Sequence, residues 1–307
     1  MPKLYVKESI LIEAQPQKIV SVLSDFNSWQ YWSPWLIAEP QAKVEVAPDN
    51  KYYYWEGAIV GAGQMWIRAE SEKAIAIDLE FLKPFKSKAK VAFFLEPEAG
   101  KTKLSWTMDS SLPFFLFWMK KAYEVFISMD YCRGLKMLKD WIELGQVPST
   151  IFVNGIKERP AQNYIGIQRD CATETLEKYM SEDFEILMTF SHKNHADKLN
   201  APPFTMYPIW DVVGKKVRYI ACQPVSEIPD DLPSNFTSGV LPATQVHAIT
   251  HTGPYRHVAN AWAVQMMYQQ KKIFRPNKKT IPLEIYHNSP KNTSELELIS
   301  EIQLGAK

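Results

Sequence analysis

A glutamate and a tyrosine two residues apart, Glu284 and Tyr286, stand in the segment Thr280-Ile-Pro-Leu-Glu-Ile-Tyr286. The period-two alternation of a strand puts Ile281, Leu283 and Ile285 on one face and Pro282, Glu284 and Tyr286 on the other. A carboxylate on a strand otherwise suited to burial is expensive unless a partner satisfies it. Two chemistries would use it. An ionised carboxylate ringed by aromatic faces attracts a flat organic cation, with cation–π attraction adding on the order of 0.5–2 kcal/mol. Alternatively, desolvation lifts the carboxyl toward neutrality and makes it a general base for a water molecule. The plainer reading is a surface strand with one wet face.

The segment occurs twice. Residues 202–208 read Pro-Pro-Phe-Thr-Met-Tyr-Pro. An offset of 79 lays Pro203 on Pro282, Phe204 on Leu283, Met206 on Ile285 and Tyr207 on Tyr286. The same offset, without a gap, lays residues 217–225 on 296–304. Residues 164–169 and 245–250 are short apolar strands, each followed by a helix-like stretch, over 174–190 and 258–274. The last half of the chain therefore reads as one strand–helix–strand–strand unit used twice. Where the second copy has Glu284, the first has Thr205. A residue that breaks an internal symmetry is a better functional candidate than one that follows it.

The run His251-Thr-Gly-Pro-Tyr255, a helix with Trp262, the segment Pro282-Leu-Glu-Ile-Tyr286 and the strand over 295–304 together resemble the GyrI-like family. That family also supplies the effector-binding domain of some AraC-type and MerR-type regulators. The resemblance covers residues 155–305. It implies a duplicated ββα domain with pseudo-twofold symmetry and a groove for amphipathic or cationic organic molecules. The family's groove glutamate falls on Glu284 and its following tyrosine on Tyr286. In the repeat frame Tyr255, Trp262, Tyr207 and Trp210 are expected nearby. Some GyrI-like proteins resemble hydrolases of strained electrophiles; transferred here, Glu284 would activate water and Tyr255 or Tyr286 would donate a proton.

The first half is built differently. A strand over 5–13 leads into a helix with proline in its first turn, and strand-like stretches follow from 42 to 110, punctuated by Gly61, Gly63, Pro84 and Gly100. A helical pattern over 113–144 ends at Gly145 and Pro148. The stretch Phe26-Asn-Ser-Trp-Gln-Tyr-Trp-Ser-Pro-Trp35 resembles the START-like superfamily, also called SRPBCC or polyketide cyclase-like. That resemblance implies an α+β helix-grip fold, a curved antiparallel sheet around a long C-terminal helix, enclosing a deep apolar cavity. Trp32, Trp66, Trp106 and Met119 are the expected lining, although aromatics at strand and helix periods are ordinarily core. No acid–base pair appears here, so a carrier or sensor is expected over an enzyme.

Bulk properties set the remaining limits. A chain of 307 residues suits two domains, expected at 1–147 and 155–307 with a linker over 148–154. Its 35 basic and 34 acidic residues leave a net charge of +1, which gives no global pull toward nucleic acid or anionic membrane. Cys132, Cys171 and Cys222 are scattered without a CxxC pair, as free thiols in a reducing compartment would be. There is no apolar leader, and the most apolar run, residues 112–119, is too short to span a bilayer, so a cytoplasmic protein without a membrane partner is expected. His192 with His195, and His247 with His251, lack further ligands for a metal, and no cofactor is expected. Neither a nucleophile elbow, nor a phosphate loop, nor a helix-turn-helix is visible, so direct nucleic-acid binding is not expected.

The reading that follows is a small-molecule-binding protein that senses or sequesters hydrophobic or cationic compounds. A hydrolase centred on Glu284 is the alternative. A regulator-like adaptor contacting a protein partner is a third.

Overall fold

Alternating burial along successive strands forms the first of two antiparallel sheets. The computed structural model describes residues 2–307. In this part of the chain β1 (Lys3–Ile12) is followed by α1 (Pro16–Ser24) and α2 (Trp29–Trp32). Then come β2 (Lys43–Val46), β3 (Tyr52–Gly57), β4 (Gly61–Glu70), β5 (Ala74–Lys83), β6 (Ser87–Glu98), β7 (Lys101–Ser111) and α3 (Lys120–Leu144). The sheet order is β1-β7-β6-β5-β4-β3-β2. α3 packs on β1 and buries Tyr131, Leu135, Leu138 and Ile142, an i, i+4, i+7, i+11 stripe. Gly145 stops it in a left-handed cap with φ 74°.

The interior of this unit is packed with aromatic rings. Trp32 and Trp106 lie 6.1 Å apart by ring centroid, Phe93 and Trp106 5.0 Å, and Trp106 stacks on Tyr131 at 4.0 Å. Each such ring contributes burial of roughly 1.5–3 kcal/mol as core. The cavity expected among Trp32, Trp66, Trp106 and Met119 is therefore corrected. Trp32 and Trp106 fill the centre of the sheet's inner face. Trp66 shares strand parity with Gln64 and Arg68, points to the other face, and contacts Tyr52 at 5.5 Å and the Arg68 guanidinium at 5.3 Å. Met119 is half-buried at the end of a 3₁₀ turn, Phe114–Met119, which replaces the first part of the helix expected over 113–144.

The second unit begins at Ser149, and the first ends at Pro148. Its elements are β8 (Thr150–Arg159), β9 (Gln162–Ala172), α4 (Leu176–Asn194), β10 (Phe204–Asp211), β11 (Lys216–Val225), β12 (Thr237–Leu241), β13 (Thr244–Thr252), α5 (Ala259–Gln270), β14 (Leu283–Tyr286) and β15 (Ile299–Gly305). The sheet order is β12-β9-β11-β10-β14-β15-β13-β8. Residues 150–154, expected in a linker, are instead the start of β8, which pairs with β13. Residues Thr237–Leu241 form β12, which pairs with β9 at the other edge of the sheet.

At the centre β10 pairs antiparallel with β14, and Thr205 faces Glu284 across the ladder, flanked by Phe204 with Ile285 and Met206 with Leu283. Outward from this junction the elements follow in matching order, β11 then β9 on one side and β15 then β13 on the other. No helix among the described residues is long and apolar enough to cross a membrane.

Candidate functional site

Because β10 and β14 are in register at Thr205 and Glu284, strand alternation brings both residues, with Tyr207 and Tyr286, to the same face of the sheet. α4 and α5 supply the side chains above them. The opposite face carries Phe204, Met206, Ile220, Cys222 and Leu283 in an apolar cluster. One face of the central pair is thus ordinary core, and the other gathers polar and aromatic groups.

Glu284 is 4% exposed, and the Trp262 indole N–H donates to its Oε2 at 2.8 Å. Trp262 meets Tyr207 edge to face at 5.5 Å, and Tyr207 meets Trp210 likewise at 5.3 Å. The Tyr286 hydroxyl lies 3.1 Å from the Thr205 hydroxyl, and its ring touches Tyr255 at 5.7 Å and Phe184 at 5.5 Å. The Met180 thioether accepts hydroxyl hydrogen bonds from Thr205 at 3.3 Å and more distantly from Tyr207 and Tyr286. Thr205 and Tyr207 are buried, Tyr286 and Trp262 half-buried, and Tyr255 and Trp210 reach the surface. All six residues expected around the groove lie within one connected set of contacts.

Burial dominates the electrostatics. Removal from water pushes Glu284 up to about 7, against the pull of hydrogen bonds from Trp262 and Tyr286. The same burial, reinforced by the Glu284 charge, raises Tyr286 and Tyr207 well above the usual phenol range and moves Tyr255 to about 12. Glu284 forms no ion pair among the described residues. Its charge is offset only by neutral donors and ring edges.

Sequence reasoning passed over Met180 and Phe184. Their i, i+4 spacing on α4 was the available signal, since it places both on one side of the helix. Tyr255 is set by the turn before it, where Gly253 holds φ 136°, in the region that favours glycine.

Other candidate chemistry is not assembled. Among the described residues no group of three or more His, Cys, Asp or Glu could hold a metal ion. His247 is held by Gln265 at 2.6 Å and stacks on Phe274. His195 packs on Phe190. The Ser149 hydroxyl lies 3.0 Å from His251 Nε2, but His251 Nδ1 has no hydrogen-bond partner among the described residues and burial pulls the ring down to about 4. A serine–histidine pair without an orienting third group and with so weak a base is not an activated nucleophile. Two open depressions, about 480 Å³ beside α1 and about 670 Å³ along the outer side of α4, are lined by other residues.

Residues 155–307 match the family described as GyrI-like small molecule binding domain. No curated protein matches the chain. Among solved structures, the chain is similar to the C-terminal domain of EcmrR at 20% identity and a TM-score of 0.44, over 52% of this chain and 98% of that one. EcmrR in its DNA complex aligns at 19% identity and 0.45, over 63% and 69%. SAV2435 bound to tetraphenylphosphonium aligns at 13% and 0.40, over 51% and 94%. On the family match, residues 155–307 are a GyrI-like small molecule binding domain.

Proposed function

We propose that this domain binds lipophilic organic cations, in sensing or sequestration, with Glu284 as the anionic anchor. Tyr207, Trp262 and Tyr286 are the inner aromatic walls, and Tyr255 and Trp210 the outer ones. The observation that carries the reading is a buried carboxylate whose surroundings are neutral donors and rings. A structural carboxylate at that depth is ordinarily matched by a basic side chain. Here the fold leaves the countercharge to a guest. Because Glu284 and Tyr207 are covered in the structure, entry requires Trp262 or Tyr255 to swing aside.

The architecture proposed with it is a duplicated ββα unit about a pseudo-twofold, the axis passing between Thr205 and Glu284. The offset of 79 and the register of β10 on β14 support it. For residues 1–147 a START-like helix-grip is proposed as a fold, supported by the seven antiparallel strands and the final helix on β1. No ligand is proposed for its filled interior.

Calorimetric titration of the full chain with tetraphenylphosphonium and with an uncharged tetraphenyl analogue tests the reading. Glu284→Gln keeps size and the Trp262 hydrogen bond but removes the charge. It is expected to weaken the cation by about 1.5–3 kcal/mol, the Coulomb attraction lost between a carboxylate and a cation centre about 6–10 Å away in a partly desolvated site, and to leave the neutral analogue unchanged. Equal losses for both ligands would sink the anchor role. The value of about 7 at Glu284 also suits a general base, with Tyr255 donating a proton. That second reading requires turnover of an electrophile which falls roughly a hundredfold in Glu284→Gln while binding persists.

A further inference from the structure

Five large aromatic side chains of the first unit turn outward at one end of its sheet. Phe85, 80% exposed, sits in the turn between β5 and β6. The chain leaving β7 runs Phe114-Phe-Leu-Phe-Trp-Met119. Ser110 near the end of β7 donates to the Lys88 carbonyl near the start of β6, so the two stretches leave the sheet side by side. The three-residue repeat of the 3₁₀ turn sorts its side chains into rows. Leu116 and Met119 face inward and are half-buried. Phe114 and Phe117 form a second row with rings 6.1 Å apart, Phe115 and Trp118 a third, and these four are 59–76% exposed. Isolated exposed aromatics are common, but five together at one end mark an interaction surface.

The charges beside the patch select its partner. Lys86, Lys88, Lys120 and Lys121 border it. Lys88 and Lys120 approach Glu80 and Glu124 at 3.9 and 3.6 Å, whereas Lys86 and Lys121 form no ion pair among the described residues. The eight-residue run from Leu112 to Met119 is too short to cross a bilayer. It is long enough to lie in the interface, where aromatic rings settle at the headgroup–acyl boundary and flanking lysines meet anionic headgroups. We propose that this end of the first unit docks on the surface of an anionic phospholipid bilayer. The proposal revises the expectation that the protein has no membrane partner, since balanced net charge says nothing about local clustering.

The test is flotation of the full chain with vesicles of phosphatidylcholine alone or mixed with phosphatidylglycerol. The chain is expected to float with the mixed vesicles and to be released by high salt. Phe115→Ser with Trp118→Ser is expected to lower partitioning by about tenfold or more, through lost apolar insertion. Lys86→Gln with Lys121→Gln should lower it by roughly fivefold per lysine. All four positions are exposed, so melting temperatures should match the parent; if the aromatic variant melts early, the lysine variant decides. Absence of flotation with phosphatidylglycerol vesicles, or flotation indifferent to the lysine changes, overturns the proposal. So does a parent chain that ignores vesicles but forms a dimer broken by the aromatic changes, since the patch would then be a self-association face.

Discussion

The two strands at the centre of the second sheet share a frame and differ by one charge. On β10, Thr205 is buried, its hydroxyl shared between Met180 and Tyr286. On β14, directly opposite, Glu284 is also buried, with the Trp262 donor at 2.8 Å, a further pull from Tyr286 and no ion-pair partner among the described residues. Threonine fits the site at little energetic expense, because a hydroxyl both donates and accepts. A carboxylate only accepts, and the neutral donors at Glu284 recover only part of its desolvation. The difference teaches that Thr205 is satisfied within the fold, whereas Glu284 has no ion-pair partner among the described residues; on the proposed reading that charge serves a ligand.

A second charge on β10 should break the comparison most severely. Thr205→Glu places two carboxylates across one ladder position in a dry site. It is expected to lower stability at pH 8 by about 3–5 kcal/mol, as for an uncompensated buried charge. Much of that loss should return near pH 5, where the pair shares a proton. Chemical denaturation at the two pH values checks this. A loss that ignores pH would mean steric overpacking instead.

Removing the existing charge should sharpen the contrast by a smaller amount. Glu284 is raised from its ordinary 4.5 to about 7, so the folded state holds the proton more tightly than the unfolded one. The stability this confers is fully present below about 4.5 and is lost as pH rises through about 7, amounting to about 3 kcal/mol. Glu284→Gln should abolish that slope and be the more stable protein at pH 8. Denaturation profiles of the two proteins between pH 4.5 and 8 measure it. A variant less stable than the parent at pH 8 would indicate a structural role for the carboxylate.

Much of this site was legible in the chain because its signal is repetition. The offset of 79 marks Glu284 against Thr205, and period two puts Tyr207 and Tyr286 on the same face. Met180 and Phe184 were less visible, since α4 is apolar on more than one side and nothing in it singles out the groove. β8 was hidden because Phe152 and Ile156 stay exposed on an edge strand, so its pattern reads as a connection. In the first unit the density of tryptophan is equally compatible with a lined cavity and a filled core. Only ring-to-ring distances decide between them. Trp66 was the exception: its parity with Gln64 and Arg68 already placed it outside.

On the proposed reading Glu284 is a desolvated carboxyl whose countercharge arrives with the ligand. Carbon-13 NMR of the glutamate carboxyls, assigned by comparison with Glu284→Gln, follows that group through a pH titration with and without tetraphenylphosphonium. In the free protein it is expected to titrate near 7. With the cation bound, the charged form is favoured and the midpoint should fall by about one to two units. Titration at an ordinary carboxylate pH in the free protein, or a midpoint that does not move on binding, would contradict the account.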